Sequence, residues 1–500
     1  MRLGRLLRDV NVLDFRGDGE VEIRGLAYDS RGVKPGYLFV ALRGHSLDGH
    51  RFIEEALDKG AVALVVESKE VGDSIDSRVA VALVRDSREA LSELAVSFYR
   101  RPFDGINMIG ITGTNGKTTT SYLLEAILMA AGAMPGVIGT INYHFPGHIF
   151  EAKVTTPESL DLMANLRKIA DAGCTDVVME VSSHALAQGR TRACPFQVAV
   201  FTNISRDHLD YHQSMDEYFE AKSRLFRGLR QRGEGESPWA VINWDDPKGR
   251  VLAKLTDAKV LTYGMKGGCD VRAECVEMTS SGLTARLLTP AGETDVRSPL
   301  IGGFNIYNIL AASAAAVAMD IAPDIVSAGI ADLKGVPGRL ELVENRRSLT
   351  IVVDYAHTPD ALLKALEALR PIVDERLIIV FGCGGDRDRG KRREMGRVAG
   401  AQSDLVIITS DNPRSEDPAA IISQIEKGVL ESGMKRLEGP AKGGGYLLEM
   451  DRRRAIKMAV DMAGAKDLVL IAGKGHEDYQ IIGDRKRHFD DREQAAQAAS

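Results

Sequence analysis

The stretch Gly110-Ile111-Thr112-Gly113-Thr114-Asn115-Gly116-Lys117-Thr118-Thr119-Thr120 decides how this chain is read. A short apolar run, Ile106 to Ile109, comes before it. After it, Tyr122, Leu123, Ala126, Ile127 and Ala130 recur at helical spacing until Gly132 closes the pattern. Strand, glycine loop, helix is the order that predicts a polyphosphate site. Glycines let the backbone approach phosphate oxygens and turn its N–H groups toward them, and the helix N-terminus adds partial positive charge. Lys117 neutralises oxygen charge, and a threonine hydroxyl such as that of Thr118 can ligate Mg2+. The usual loop has four residues between its glycines, whereas here Ile111 stands where the first glycine is expected and Gly110 lies one position earlier. A bare strand-to-helix turn would explain the glycines, but not a lysine followed by three threonines.

Working outward, 500 residues exceed one hydrophobic core and predict about three domains, which 44% hydrophobic residues can fill. Lysine plus arginine (64) nearly balances aspartate plus glutamate (70), so the net charge of −6 gives no footprint for nucleic acid or an anionic membrane. Small-molecule partners are expected. The cysteines Cys174, Cys194, Cys269, Cys275 and Cys383 are scattered without a C-x-x-C pair, which fits reduced thiols better than a disulfide framework or a zinc site. Asp9 and Asp14 interrupt any apolar leader, and no apolar run reaches the length of a membrane span. A cytoplasmic protein is expected.

The fold class predicted is α/β in three domains. Residues 1–104 alternate apolar runs (Leu38 to Leu42, Ala61 to Val66, Val79 to Val84) with helical patterns such as Phe52 to Leu57, a small α/β domain. Two loops there, Tyr28-Asp29-Ser30-Arg31 and Gly44-His45-Ser46-Leu47-Asp48-Gly49, gather hydrogen-bonding side chains beside a strand, although Asp, Ser and Gly also make ordinary turns. Residues 105–336 begin with the glycine loop and carry strand signals at Asp176 to Val181 and Val198 to Asn203, a P-loop-like, mostly parallel sheet with Glu180 and Thr202 near strand ends, where ligands sit in open α/β sheets. A short alanine-rich helix is expected at Ala311 to Ala318. Near Val336-Pro337-Gly338-Arg339 the pattern resets. Residues 337–500 then carry strands at Leu349 to Asp354, Leu377 to Phe381, Leu405 to Thr409 and Leu468 to Ala472, Rossmann-like in outline. Gly382-Cys383-Gly384-Gly385 is a weak substitute for the dinucleotide fingerprint, so no nicotinamide cofactor is inferred.

Six motifs follow one another in order. They are Gly113-Thr-Asn-Gly-Lys117-Thr, Glu180-Val-Ser-Ser-His184, Asp207-His-Leu-Asp-Tyr-His212, Asp354-Tyr-Ala-His-Thr-Pro359, Asp411-Asn-Pro-Arg414 and Gly473-Lys-Gly-His-Glu477. In this order they resemble the Mur ligases over essentially the whole chain. Within that family the likeness is to the branch that adds the third amino acid to UDP-N-acetylmuramoyl-L-alanyl-D-glutamate, in peptidoglycan precursor synthesis. The resemblance implies an ATP-dependent amide ligase using Mg2+ and an acyl-phosphate intermediate, cytoplasmic and monomeric. Such chemistry crowds negative charge into one place, which calls for a cation and fixed positive groups.

By the same resemblance, ATP is held by Gly113, Thr114, Asn115, Gly116, Lys117, Thr118 and Thr119, with Asn305, Asn308, Arg339 and Asp354, and His357 belongs to a loop facing ATP. Metal binding falls to Thr118, Glu180, His208 and a carbamylated Lys222, and Lys117, Glu180, His208 and Lys222 are the catalytic set. On its residues alone His208 reads as a surface or capping histidine and Lys222 as an exposed helix lysine, and carbamylation needs a neutral amine with a lowered pKa. The UDP-sugar peptide is assigned to Tyr28, Ser30, His45, Ser46, Leu47, Thr155, Thr156, Ser182, Gln188 and Arg190, with Arg192 as a rival for the last role. Tyr28 departs from the leucine familiar in the family.

The incoming amino acid is assigned by resemblance to Arg387, Asp411, Asn412, Pro413, Arg414, Gly473 and Glu477. Arg414 stands where members selecting meso-diaminopimelate carry an arginine. Diaminopimelate differs from lysine by a second carboxylate, which a guanidinium takes bidentately, and lysine would leave that guanidinium without a partner. On its residues alone Asp411 to Arg414 is a turn after a strand, and the two readings coexist. Diaminopimelate is expected, with L-lysine or another diamino acid as the alternative. A folylpolyglutamate synthase is a remote rival, against which the N-terminal unit and the Asp-Asn-Pro-Arg loop count. A nucleotide-gated binding module is another, and it would hydrolyse ATP without either co-substrate.

Overall fold

The computed structural model describes residues 1–500 apart from 45, 46, 210, 230–236 and 440–442. The chain divides into two compact units. One comprises Met1–Arg272, Thr289–Ala291 and Leu310–Val326, and the other Ala273–Leu288, Gly292–Ile309 and Ser327–Ser500.

The first unit holds two sheets. The smaller has the strand order Val12–Arg16, Ala80–Val84, Ala61–Val66, Tyr37–Val40, Gly25–Ala27, all parallel except the antiparallel edge strand Val12–Arg16. Its inner strands are nearly continuous apolar runs because helices cover both faces. The larger sheet places Lys259–Gly264, Trp239–Asn243, Val198–Phe201, Asn107–Thr112, Asp176–Glu180 and Pro135–Ile138 side by side and parallel, followed by the antiparallel hairpin Asn142–Phe145 and His148–Glu151. Asn107–Thr112 is the pivot. Later strands lie on both sides of it, Glu180 opposite Ile111 and Phe201 opposite Thr112, so the chain leaving Thr112 emerges between two strand ends, a crevice where doubly wound sheets bind ligands. One apolar core joins the two sheets through the helices Ser87–Phe98 and Ser159–Asp171, with Leu91, Leu94, Leu162 and Leu166 all excluded from water. Asp86 caps the first of these helices by accepting from the backbone N–H groups of Arg88 and Glu89.

The second unit is built on a six-stranded sheet, in the order Glu341–Leu342, Thr350–Asp354, Leu468–Ala472, Leu377–Phe381, Leu405–Ile408, Gly445–Leu448, parallel but for the first. Alternate residues of its central strands feed two separate cores. Ile379, Phe381, Val406 and Leu470 enter one, and Ile378, Val380, Ile407 and Ile471 the other. That division is why these strands read as unbroken apolar runs. Asp354, Phe381 and Ala472 lie level in register, so the loops after them open at the same edge.

The alanine-rich helix is longer than Ala311 to Ala318 and runs Asn305–Ala318. Asn305 extends it by donating its side-chain amide to the Ile301 carbonyl (2.7 Å) and accepting from the Asn308 amide (2.8 Å), which organises the first turn. Gly445–Leu448 and the hairpin Tyr479–Ile482 with Arg485–His488 went unmarked in the sequence, being four residues each with little apolar alternation. Among the described residues, no helix is long and apolar enough to cross a membrane.

Candidate active site

The glycine loop is held by backbone geometry. Gly116 caps the helix Lys117–Ala130 with a left-handed backbone (φ 87°). A Cβ on Gly113 would stand 1.9 Å from Thr202 Oγ1, so only glycine lets the loop lie against the end of the neighbouring strand. The Thr114 N–H donates to the Asn203 carbonyl (2.9 Å) and the Asn115 N–H to Asn203 Oδ1 (3.0 Å). Ile111 is no defect in this loop. It is a fully buried strand residue, and Gly110 is a packing glycine whose Cβ would meet the Phe196 ring at 2.9 Å. The glycines that shape the loop are Gly113 and Gly116.

Two lysine amino groups meet one carbonyl oxygen here. Lys117 Nζ donates to Gly113 O and Thr114 O (2.9 Å each), and Lys222 Nζ donates to Gly113 O at 2.8 Å. Lys222 belongs to the helix Met215–Arg227, capped by Ser214, and is 1% exposed. The exposed-lysine reading is therefore wrong. Tyr218, Ala221, Lys222, Leu225 and Phe226 form one buried helical stripe, with Lys222 Nζ 4.4 Å from the Tyr218 ring centre. Burial, and next the Lys117 charge, push the Lys222 pKa well below the usual lysine range, with Asp207 opposing.

Beside the loop, Glu180 is buried at its strand end and accepts from Thr118 Oγ1 (3.0 Å), Thr140 Oγ1 (2.9 Å) and the Thr140 N–H (2.8 Å). Gly139 makes room, since its Cβ would lie 2.5 Å from Glu180 Oε1. A carboxylate with two hydroxyls is an all-oxygen donor set of the kind a hard divalent cation prefers. Among the described residues, no group of three or more His, Cys, Asp and Glu gathers into a metal cluster. His208 is about half exposed, in a left-handed backbone (φ 52°), with its ring against His184 (4.9 Å between centres) and Tyr218 (6.1 Å) and its Nε2 3.5 Å from Asp207. Thr140 had no signal in the sequence, because it follows the four-residue strand Pro135–Ile138 in an ordinary loop.

Near the same strand ends, Thr156 is buried and donates to the Glu180 carbonyl (2.8 Å) while accepting from the Ser182 N–H (3.0 Å), and Ser182 caps the helix Ser183–Ala187. Thr155 shares a hydrogen bond with Thr140 (3.1 Å). Arg190 donates to the Thr156 carbonyl (2.9 Å) and to Gln188 Oε1 (2.7 and 3.0 Å), and lies 3.5 Å from Glu158. Arg192 turns away to pair with Glu89 (2.7 Å), so only Arg190 joins Thr156 and Gln188. In the small-sheet domain, Tyr28 donates to Asp161 Oδ2 (2.5 Å) and Ser30 to Glu55 (2.8 Å), while Leu47 is exposed. His45 and Ser46 lie outside the described residues.

In the second unit, the loops after three strands converge. Gly382 to Gly385 pack against Asp411 to Arg414, and a Cβ on Gly385 would stand 1.9 Å from the Pro413 carbonyl. The weak fingerprint is thus a contact between loops. Asn412 donates to Glu477 (2.9 Å) and accepts from the Ile481 N–H (2.9 Å), and Gln480 donates to the Asp411 carbonyl (2.7 Å). Arg414 is half-buried, with a left-handed backbone (φ 50°), and donates to the Gly385 carbonyl (2.9 Å). Arg387 is exposed at the rim. A Cβ on Gly384 would lie 3.0 Å from Arg414 Nη1 and 3.8 Å from Arg387 Cγ, so that glycine clears space beside the Arg414 guanidinium and the Arg387 stem. Gly473 keeps φ 118° because a Cβ there would press within 2.9 Å of Asp411 Oδ2.

Two features were missed. Lys474, fully buried, lies 3.3 Å from Asn412 Oδ1 and Glu477 Oε2. Beneath them Arg452 and Asp491 form a fully buried ion pair, and Arg452 also donates to the carbonyls of Ala472 (3.0 Å) and Ser410 (3.4 Å), the residues just before Gly473 and Asp411. Burial raises the Glu477 pKa, with Lys474 opposing. Asp354 is half-buried at its strand end, and loss of solvation raises its pKa as well, its oxygens accepting from the Leu340 and Ala356 N–H groups (2.8 Å each), with Arg339 opposing. Arg339 lies over the Tyr355 ring (5.0 Å), and His357 donates from Nδ1 to the Tyr355 carbonyl (2.8 Å).

This architecture has known counterparts. The Mur ligase middle domain matches residues 111–316, the Mur ligase glutamate ligase domain matches 338–475, and the Mur ligase family catalytic domain matches 22–99. A protein of Geobacter metallireducens named "UDP-N-acetylmuramoyl-L-alanyl-D-glutamate--2,6-diaminopimelate ligase" is 49% identical, the match covering 100% of this chain and 98% of that protein. A solved structure of a ligase with the same name superposes with a TM-score of 0.71 at 33% identity, over 100% of this chain and 98% of that one. MurF ligase from Thermotoga maritima in complex with ADP shares the fold, with a TM-score of 0.61 at 22% identity over 91% and 94% of the two chains.

Proposed function

The chain belongs to the Mur ligase family, and from that premise we propose that it joins meso-diaminopimelate to the D-glutamate of UDP-N-acetylmuramoyl-L-Ala-D-Glu at the expense of ATP, in peptidoglycan precursor synthesis. The γ-phosphoryl of ATP passes to the glutamate carboxylate, releasing ADP. The amine then attacks the acyl carbon of the resulting acyl phosphate, loses a proton and displaces phosphate. The work is divided over residues 1–104 for the UDP end, 105–336 for ATP and 337–500 for the incoming amino acid, in a monomer working in the cytoplasm.

The observation that carries this reading is the meeting of Lys117 and Lys222 on the Gly113 carbonyl, next to the Thr118 and Glu180 pair. Lys117 and the loop N–H groups hold the phosphates. Thr118 and Glu180, with His208 and Lys222, are the candidate donors for Mg2+, which when bound neutralises charge on the transferring phosphoryl group. Lys222 serves as a donor only after its neutral amine adds to carbon dioxide and sheds a proton, giving a carbamate. The lowered lysine pKa is the condition for that step. Thr155, Thr156, Ser182, Gln188 and Arg190 hold the muramoyl-dipeptide, with Tyr28, Ser30, His45, Ser46 and Leu47 at the uridine end. Asn305, Arg339 and Asp354 complete the nucleotide contacts. Arg387, Asp411, Asn412, Pro413, Arg414, Gly473 and Glu477 receive diaminopimelate, whose distal carboxylate suits the Arg414 fork.

The test is phosphate release and product mass with ATP, the UDP-muramoyl-dipeptide and either meso-diaminopimelate or L-lysine. Release that needs all three components and is faster with diaminopimelate is expected. Faster release with lysine overturns the amino-acid assignment, and steady ATP hydrolysis without either co-substrate overturns ligation.

A further inference from the structure

Lys474 is the buried charge that the reaction as described leaves without a task. Its backbone is pinned on both sides. Gly473 is held against Asp411, and a Cβ on Gly475 (φ 54°) would stand 2.6 Å from the Tyr355 Cβ, so the segment has little freedom to turn the lysine outward. Its Nζ reaches Asn412 Oδ1 and Glu477 Oε2 at 3.3 Å, lies 3.8 Å from Asp411 Oδ1 and stands 5.3 Å from the Tyr479 ring centre. The carboxylates of Asp411 and Glu477 are the groups to which an incoming ammonium would turn, and Lys474 already sits on both.

Charge counting gives the consequence. Asp411 and Glu477 bring two negative charges, and Lys474 and Arg414 two positive, so these four inner groups sum to zero, with Arg387 standing outside them at the exposed rim, and the Arg452 and Asp491 pair beneath is neutral too. The distal end of meso-diaminopimelate carries one ammonium and one carboxylate and is neutral too, whereas the end of lysine carries an ammonium alone. A neutral pocket with both signs of charge matches the first, and a pocket with one negative charge in excess matches the second.

We propose that Lys474 is a specificity-determining residue that sets the pocket to zero net charge and thereby selects a zwitterionic side-chain end over a lone ammonium. The inference rests on the amino-acid assignment above. Lys474 acts on the substrate through Glu477, Asp411 and Asn412, as a positioning residue.

The experiment compares kcat/KM for meso-diaminopimelate with that for L-lysine in the full chain. Lys474→Met keeps the length of the side chain without its charge, and the ratio is expected to fall about tenfold or more, the size of a lost charged hydrogen bond. KM for ATP is expected to stay within about twofold. Glu477→Gln makes the opposite change, leaves one positive charge in excess and is expected to raise the ratio, which keeps the proposal testable if Lys474→Met does not fold. A ratio that stays constant while both amino acids lose activity together, or that rises in Lys474→Met or falls in Glu477→Gln, overturns the proposal. Wild-type protein that ligates neither amino acid overturns the functional reading itself, an outcome seen before any variant is made.

Discussion

The phosphate loop and the amino-acid pocket are both clusters of charge at strand ends, yet they are built from opposite materials. The loop is shaped by main chain. Gly113 and Gly116 set it, Asn203 holds its N–H groups, and the side chains of Lys117 and Lys222 rest on a carbonyl oxygen. The pocket is shaped by side chains that neutralise one another, Lys474 against Glu477 and Asp411, and Arg452 against Asp491. A loop that presents backbone N–H groups and a helix N-terminus is suited to an anion with several charges, whereas a pocket of balanced pairs is suited to discriminating between ligands by a single charge. Stability should therefore depend on side-chain pairs in the second region and hardly on the buried lysine in the first.

The largest effect should come from breaking the balance under the pocket. Arg452→Met leaves Asp491 buried without its partner and frees the carbonyls of Ser410 and Ala472, for an expected loss of about 3–5 kcal/mol of stability. Calorimetry of the full chain reads this as a downshift of an unfolding transition. Adding Asp491→Leu should recover most of the loss, because an apolar pair of similar volume replaces a buried ion pair at little cost. A single variant as stable as the wild type would end the claim that the pocket stands on paired charges.

The converse change belongs to the loop. Lys222→Met should lower ligase turnover by about 10²–10³-fold, as the loss of one fixed electrostatic group does in an active site, while the unfolding transition stays in place or rises. Burial already opposes the charged form of Lys222, so removing it relieves the fold. Wild-type turnover in this variant would remove Lys222 from the catalytic set.

The two regions also differ in how far the sequence announced them. The loop was legible because its parts are contiguous, although Gly110 was misjudged as part of it when it is a strand residue facing Phe196. Lys222 looked exposed because a lone lysine is judged by type. The stripe of Tyr218, Ala221, Leu225 and Phe226 around it was the available signal. In the pocket, Asp411 to Arg414 and Glu477 were reachable only through resemblance, and Lys474, inside a quoted motif, still went unremarked because its meaning depends on residues 62 positions away. Arg452 and Asp491, 39 apart on the helices Arg452–Met462 and Asp491–Ala498, carried no local mark at all. Periodicity reports which face of an element is buried, and it is silent on which charges meet there.

The smallest expected effect tests whether the segment that carries Lys474 is closed to water. His476 lies between Gly475 and Glu477, and burial, with Arg339 and Arg492 nearby, holds its pKa at about 4. Its Nδ1 has no hydrogen-bond partner among the described residues. Between about 4 and the ordinary histidine value near 6.5, the folded chain binds fewer protons than the unfolded chain. The stability linked to neutral His476 is therefore complete above 6.5 and is lost as pH falls toward 4, on the order of 1–2 kcal/mol once partial exposure is allowed for. Denaturant titrations at pH 7 and pH 5 read the difference. His476→Gln, which cannot protonate in this range, should flatten the slope over that window. An unchanged slope would mean that His476 titrates at its ordinary value and that the segment carrying Lys474 is open to water, which would weaken the case for a pocket sealed around balanced charge.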